Sequence, residues 1–191
     1  MLEHIIPSQA RRKTLELFFQ NPNDSFYLRK IVRDIGEEVN AVKRELDILS
    51  QAKLLFKEKR LNKIFYTLNK NFTLYDEFLR IFAKNSLTAN MIYKNLAKIG
   101  KVKFIVLSTK FIKQISIKED EIYLLIVGII VVPEIASIVS DGEKQFGREI
   151  NYTVMTEEEF AFRKKNNDPF IWRFLKQPKI MLVGTEDDLL K

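Results

Sequence analysis

A helical pattern followed directly by a β-hairpin constrains the fold of this chain more than any other feature. Residues 37–53 read EEVNAVKRELDILSQAK, and their apolar positions recur at steps of three, four and three: Val39, Val42, Leu46 and Leu49. That period places the four side chains on one buried face of a helix. The polar residues between them then face outward: Asn40, Lys43, Arg44 and Asp47.

Two short runs of β-forming residues, 54–56 and 64–68, follow this helix, and the stretch KEKRLNK gives the predicted hairpin a basic tip. Two more helical patterns precede it. Ser8 is placed to cap the start of SQARRKTLELFFQ, and Gly36 is placed to end LRKIVRDI. Three short helices and a basic hairpin are the order of a winged helix-turn-helix, so we predict such a domain in residues 1–70.

This predicted domain carries residue types suited to double-stranded DNA. A recognition helix enters the major groove and reads bases from its N-terminal half. Asn40 can read adenine through two hydrogen bonds, and Lys43 and Arg44 can read guanine or hold phosphates. Other basic side chains are expected to contact the backbone: Arg29, Lys30, Lys57, Lys59, Arg60 and Lys63. Glu37 and Glu38, at the start of the helix, count against DNA binding because phosphates would pass close by.

The distribution of charge supports the same interpretation. The net charge is +7, and residues 1–70 hold 14 Lys/Arg against 9 Asp/Glu. Residues 71–100 hold 4 against 2, and residues 101–191 hold 14 against 14. Because the excess positive charge lies in the first half, only that half is expected to meet a polyanion.

Composition excludes several classes of site. The chain has no cysteine and one histidine, His4, so we expect no disulfide, thiolate metal site or Ser-His-Asp triad. We predict no metal site and no cofactor. The N-terminus lacks a signal-peptide pattern, and the longest apolar run, IYLLIVGIIVV, is shorter than the ~20 residues of a membrane span. The sequence therefore predicts a cytoplasmic protein without membrane contact.

Residues 71–100 predict a helical connector of two helices that breaks near Asn85 and Ser86. Each helix carries an apolar stripe that it cannot bury alone: Leu74, Phe78, Ile81 and Phe82 in one, Met91, Ile92 and Leu96 in the other. We predict that this connector forms a homodimer, since regulators of this kind read two half-sites. Packing within one chain is the alternative.

Residues 101–191 predict strand, strand, helix, strand, helix, helix and strand, which indicates a small mixed sheet with helices against it. The whole chain is then of the α+β class. It resembles a family of prokaryotic proteins in which a winged helix-turn-helix precedes a minimal nucleotidyltransferase-like domain. The resemblance covers nearly the whole chain and is carried by these segments: ARRKTLELFFQNPNDSFYLRKIVRDIG, AVKRELDILSQAKLL, GREINYTVMTEEEF, NDPFIWRFL and PKIMLVG.

The resemblance implies an active site that has lost its chemistry. Active members have Gly-Ser at the end of one strand and Asp-x-Asp, which holds magnesium, on the next. Here Ser108 and Thr109 occupy the first position, and Glu121 and Tyr123 occupy the two acidic positions of the second. A phenol does not hold magnesium at neutral pH, so we predict that the domain is not an enzyme.

The sequence thus predicts a DNA-binding transcriptional regulator with an inactive nucleotidyltransferase-like domain. Two alternatives stay open. One is an active, magnesium-dependent nucleotidyltransferase, and the other is an antitoxin-like module that binds a protein partner. A nucleotide effector of the second domain is also left open.

Overall fold

The structure, a computed structural model, describes residues 2–191 and divides into two compact units. The first unit reaches to Asn85, and the second comprises Ser86–Lys191, so the boundary lies within the predicted connector. Helices and two small sheets occur together, which agrees with the predicted α+β class. Met1, the first residue of the predicted DNA-binding domain, lies outside the described residues.

The first unit contains the predicted order of three helices and a hairpin. Its elements are α1 (Leu2–Ile5), α2 (Gln9–Gln20), β1 (Ser25–Tyr27), α3 (Leu28–Ile35), α4 (Val39–Gln51), β2 (Leu55–Arg60), β3 (Lys63–Leu68) and α5 (Tyr75–Lys84). Sequence analysis did not predict α1 or β1. Strand β1 pairs antiparallel with β3, which makes the hairpin part of a three-stranded sheet of order β1-β3-β2.

The predicted helix ends of the first unit are confirmed. The Ser8 hydroxyl accepts a hydrogen bond from the backbone N–H of Arg11 at 3.2 Å. Gly36 ends α3 with φ +65°, a left-handed conformation that favours glycine.

The buried face of α4 is confirmed for Val42, Leu46 and Leu49, but the prediction for Val39 is wrong. Val39 is 43% exposed. It is the first residue of α4, and a helical side chain points back toward the N-terminus. Its side chain therefore projects beyond the end of the packed face.

The break near residue 85 is confirmed, because Asn85 follows α5 and Ser86 caps the next helix. The predicted stripe of α5 is only partly right. Leu74 and Ile81 are exposed, and the buried side chains are Tyr75, Leu79, Phe82 and Ala83. Helix α5 packs on α2, where the ring of Phe19 stacks on Phe82 with centroids 5.2 Å apart. These aromatic contacts decide which side of α5 is buried.

The second unit contains the predicted strands and helices, together with two short helices that sequence analysis missed, α7 and α11. Its elements are α6 (Leu87–Ile99), β4 (Gly100–Ser108), α7 (Thr109–Ile112), β5 (Leu124–Ile130), α8 (Val132–Phe146), β6 (Tyr152–Met155), α9 (Glu157–Lys165), α10 (Pro169–Lys176), β7 (Lys179–Val183) and α11 (Glu186–Leu190). The sheet has the order β6-β5-β4-β7. Strands β5 and β6 are parallel and the other pairs are antiparallel, so the predicted mixed sheet is confirmed.

Both faces of this sheet are buried. On β4 and β5 the side chains of Phe104, Val106, Leu125 and Val127 join a core that α9, α10 and α11 complete. The alternate residues, such as Ile105 and Ile126, are also fully buried and point to the opposite face. Helices α6 and α8 pack against each other, and α6 also contacts β4.

Within residues 2–191, the helices are all too short or too polar to cross a membrane.

Candidate nucleic-acid interface

The nine residues predicted to contact DNA all lie in the first unit, on α3, α4 and the β2–β3 hairpin. Lys30 is half-buried, and the others are exposed: Arg29, Asn40, Lys43, Arg44, Lys57, Lys59, Arg60 and Lys63. The structure therefore gives eight of the nine side chains access to solvent, and it divides them among three local groups.

The exposed side of α4 and one face of the hairpin form the first group. The side chains of Asn40, Lys43 and Arg44 are exposed and make no hydrogen bond or ion pair with any residue of the described chain. On the opposite side of the helix, the Glu45 carboxylate is 3% exposed and joins α4 to α2. It accepts hydrogen bonds from the Ser8 hydroxyl at 2.8 Å and from Arg11 Nε at 2.7 Å. This buried contact fixes the rotation of α4.

Two lysines of the hairpin lie on the sheet face that contacts α4 at Asp47. Lys57 Nζ is 2.5 Å from Asp47 Oδ1, a carboxylate on the outward side of α4. Lys59 is two residues further along β2, so it lies on the same face of the sheet, nearer the tip. Its side chain makes no polar contact within the part of the chain described. We call these five residues the basic surface: Asn40, Lys43, Arg44, Lys57 and Lys59.

Arg60 and Lys63 face the other side of the sheet. They are Cα partners at the end of the hairpin, and they share a face with Phe65 and Tyr27. The Arg60 guanidinium lies 5.1 Å from the Phe65 ring centre, and Lys63 Nζ lies 4.3 Å from that of Tyr27. The sequence suggested the four hairpin cations as one group. In the structure, Lys57 and Lys59 lie on one face of the hairpin, and Arg60 and Lys63 lie on the opposite face.

The two cations of α3 occupy its first turn. Lys30 Nζ lies 4.9 Å from the Phe26 ring centre, whereas Arg29 is exposed. The free N–H groups at a helix start attract anions. Arg29 and the start of α3 can therefore act together on a phosphate.

One acidic residue before α4 is neutralised by a contact that sequence analysis missed. Lys13 Nζ lies 2.7 Å from Glu37 Oε1 and donates a second hydrogen bond to the carbonyl oxygen of Ile35 at 3.0 Å. The Glu37 side chain is 18% exposed. Of the two glutamates that count against DNA binding, only Glu38 is exposed. The missed contact joins residues 24 positions apart, which no local pattern predicts.

In the second unit, the positions matched to a nucleotidyltransferase site are adjacent. Ser108 ends β4, and its backbone N–H donates to the Tyr123 carbonyl oxygen at 2.7 Å. Sequence analysis placed Glu121 and Tyr123 on a strand, and this prediction is wrong because β5 begins at Leu124. The chain turns at residues 119–120, where Glu121 N–H bonds to the Lys118 carbonyl oxygen, so pairing with β4 starts later.

The hydroxyl groups at these positions have partners within the chain. The Tyr123 hydroxyl donates to the Ile115 carbonyl oxygen at 3.0 Å. The Thr109 hydroxyl donates to the Pro178 carbonyl oxygen at 3.1 Å. Ser108 is fully buried, and its hydroxyl lies 3.2 Å from Gln177 Oε1.

The carboxylate of Glu121 is also paired. Lys110 Nζ lies 2.9 Å and 3.0 Å from its two oxygens, and the backbone N–H of Lys118 donates to it. The hydrogen bond from Lys110 is the main reason that the pKa of Glu121 lies below its ordinary value.

The neighbouring Asp120 forms an ion pair with Arg173. The hydrogen bond from Arg173 is the main reason that the pKa of Asp120 lies below its ordinary value. The depression between these acids and α10 does not admit a water molecule. Among residues 2–191, no three His, Asp or Glu side chains are grouped closely enough to hold a metal ion.

Comparisons with protein-family models, with curated proteins and with solved structures gave no match to this chain.

Proposed function

We propose that this protein is a DNA-binding transcriptional regulator whose first unit is a winged helix-turn-helix. In this proposal α4 is the recognition helix and the β2–β3 hairpin is the wing. Asn40, Lys43 and Arg44 then read base edges or hold phosphates in the major groove, and Lys57 and Lys59 contact the adjacent backbone. Such a protein would act in the cytoplasm.

One observation carries the proposal: the cations of the basic surface lie on α4 and on the adjoining face of the hairpin, and three of the four are unpaired. Contact between Lys57 and Asp47 brings the two elements together. Lys43, Arg44 and Lys59 have no carboxylate partner in the described residues, so their charge is available to a polyanion. The ion pair of Lys13 with Glu37 supports the proposal, because it removes one negative charge from this region.

Fluorescence anisotropy on duplex DNA tests the proposal through the double variant Lys43→Ala/Arg44→Ala. Each contact with a base is worth about 1–3 kcal/mol. The double variant should therefore bind at least about 30-fold more weakly than the wild type.

The matched control is Lys94→Ala/Lys98→Ala, which removes the same charge from exposed positions of α6 in the second unit. It should bind DNA almost as the wild type does. Equal losses in the two double variants would show that only net charge matters and would contradict the role given to α4.

We propose that the second unit does not transfer nucleotides. The support is local: Ser108, Thr109 and Tyr123 bond within the chain, and Glu121 is held by Lys110. Incubation with labelled nucleoside triphosphates and magnesium tests this statement. Transfer of label to the protein or to an added acceptor, abolished by Glu121→Ala, would establish a nucleotidyltransferase instead.

A homodimer is part of the proposal because two copies could read two half-sites. Two exposed apolar residues offer surface for such contact: Leu74, just before α5, is 48% exposed, and Ile81, on α5, is 41% exposed. Sedimentation velocity should give twice the mass of the chain, and the variant Ile81→Glu should shift it to the monomer.

A protein-contact module is the second candidate function. Val39 and Ile48 of α4 are 43% and 39% exposed beside the basic surface, and apolar residues in such positions can bind a protein partner. This candidate predicts no DNA binding by the isolated protein even at low salt. It also predicts a stable complex with another chain that Ile48→Asp disrupts.

A further inference from the structure

The second unit contains an open cleft at the end of the sheet away from the nucleotidyltransferase-like positions. Its volume is about 540 Å³, which lies within the range of small-molecule sites. Its floor is apolar and formed by buried side chains of the sheet and of α9: Phe104, Val127 and Phe160. Ser108 lies four residues along β4 from Phe104, about 13 Å at ~3.3 Å per residue.

Four lysines and two acidic residues surround this floor: Lys103, Lys164, Lys165, Lys191, Glu157 and Asp188. Lys103 pairs with Glu157 at 2.5 Å, and Lys191 pairs with Asp188 at 2.8 Å. The two remaining cations, Lys164 and Lys165, have no acidic partner in the described chain, so the cleft carries surplus positive charge. Residues 101–191 as a whole are electrically neutral, which makes this surplus a local feature.

The wall of the cleft is aromatic and held in position. Trp172, the single tryptophan of the chain, is half-buried there. Its indole N–H donates to the Lys164 carbonyl oxygen at 3.0 Å, so the ring is tied to the end of α9 that bears the two lysines. The Lys164 ammonium in turn donates to the Leu189 carbonyl oxygen at 3.1 Å, which joins α9 to α11. A flat apolar surface therefore lies next to a pair of cations.

We propose that this cleft binds a small phosphate monoester that carries a planar aromatic ring and is about the size of a mononucleotide. The ring of the ligand lies against Trp172 and the apolar floor, and its phosphate meets Lys164 and Lys165. Lysine is a compact point charge that suits a phosphate, and an aromatic side chain suits a planar ring. This inference does not depend on DNA binding. It places a ligand of the second unit in a cleft distinct from the positions of Ser108 and Glu121.

Trp172 makes the test direct, because it is the single tryptophan of the chain and lines the cleft, so its fluorescence responds to a ligand bound there. Adenosine 5′-monophosphate and uridine 5′-monophosphate are titrated into the full-length protein without DNA. The expected result is a saturable change with a Kd below about 1 mM. Adenosine and inorganic phosphate, each half of the probe, should bind at least tenfold more weakly. No saturable change with either nucleotide would overturn the proposal.

Two variants locate the binding. Lys165→Gln removes a cation that has no partner to lose, and it should raise the Kd about tenfold. Ala161→Phe adds a ring at an exposed position that lines the cleft, and it should abolish binding without changing the charge. An unchanged Kd in both variants would contradict the site.

A control separates this cleft from a second depression that Trp172 also lines, next to Lys176 and Arg173. Lys176→Gln removes an exposed cation there and should leave the Kd unchanged. Weaker binding in Lys176→Gln together with unchanged binding in Lys165→Gln would place the ligand in the second depression and overturn the assignment. The variant Glu121→Gln should bind as the wild type does.

Discussion

Glu45 gives the sharpest test of how the first unit holds α4 in place. Its carboxylate is 3% exposed and accepts hydrogen bonds from the Ser8 hydroxyl and from Arg11 Nε. Removing one partner of a buried ion pair costs about 3–5 kcal/mol, because the other charge stays without compensation. The Arg11 side chain is 37% exposed and can reach water once Glu45 is gone. We therefore expect Glu45→Ala to lower the free energy of unfolding by about 2–4 kcal/mol.

Glu45→Gln separates charge from shape. The amide keeps the volume and an acceptor oxygen but loses the charge, so its cost should be smaller, about 1–2 kcal/mol. Urea unfolding followed by far-UV circular dichroism measures both variants by linear extrapolation. Glu77→Gln, at an exposed position of α5, is the control and should stay within about 0.5 kcal/mol of the wild type.

A double-mutant cycle with Arg11→Ala completes the experiment. Glu45 and Arg11 touch, so their combined loss should fall short of the sum of the single losses by at least about 1 kcal/mol. The reasoning fails if Glu45→Ala costs less than about 1 kcal/mol, or if the two losses add fully.

Three further predictions follow from local geometry. Gly36→Ala should lower the free energy of unfolding in urea by about 1 kcal/mol. The cost comes from the backbone, because φ is +65° and a methyl group would meet no atom within 4 Å. Gly36→Asn should cost less, because asparagine tolerates this conformation better than alanine. Gly128→Ala should cost more than Gly36→Ala, since its Cβ would lie 2.3 Å from the Lys101 carbonyl oxygen; an equal cost would contradict this. The pKa of Glu121 is lower in the folded chain than its ordinary value of 4.5, so the ionised carboxylate stabilises the folded state at pH values above 4.5. This contribution is lost as the pH falls through the folded pKa. The melting temperature of Glu121→Gln should therefore lie below that of the wild type at neutral pH and converge with it under acid conditions; a constant difference would refute the sign.

Local sequence patterns predicted most of the elements because their causes are local. Ser8 and Gly36 mark helix ends through bonds and dihedral angles within a few residues, and the steps of three and four in α4 indicated Val42, Leu46 and Leu49 as buried. The short elements escaped this reasoning. Strand β1 has three residues, and only its pairing with the distant β3 makes it a strand.

The arrangement of the candidate sites was less predictable because it depends on contacts between distant residues. The outward direction of Lys43 and Arg44 follows from the helical period. By contrast, the separation of Lys57 and Lys59 from Arg60 and Lys63 depends on the register of the hairpin. The cleft of the second unit combines residues from β4, β5, α9, α10 and the last helix, and no spacing in the sequence indicates that they meet.

The dependence of DNA affinity on salt tests the central claim most directly. Wild-type affinity for duplex DNA, measured by anisotropy across a series of salt concentrations, should fall with a log–log slope of about −0.9 for each phosphate contacted. Lys59→Ala, which removes an unpaired cation of the basic surface, should flatten that slope by about one. Absence of binding at the lowest salt, or a slope that Lys59→Ala leaves unchanged, would contradict the account of α4 and the hairpin as a DNA-binding surface.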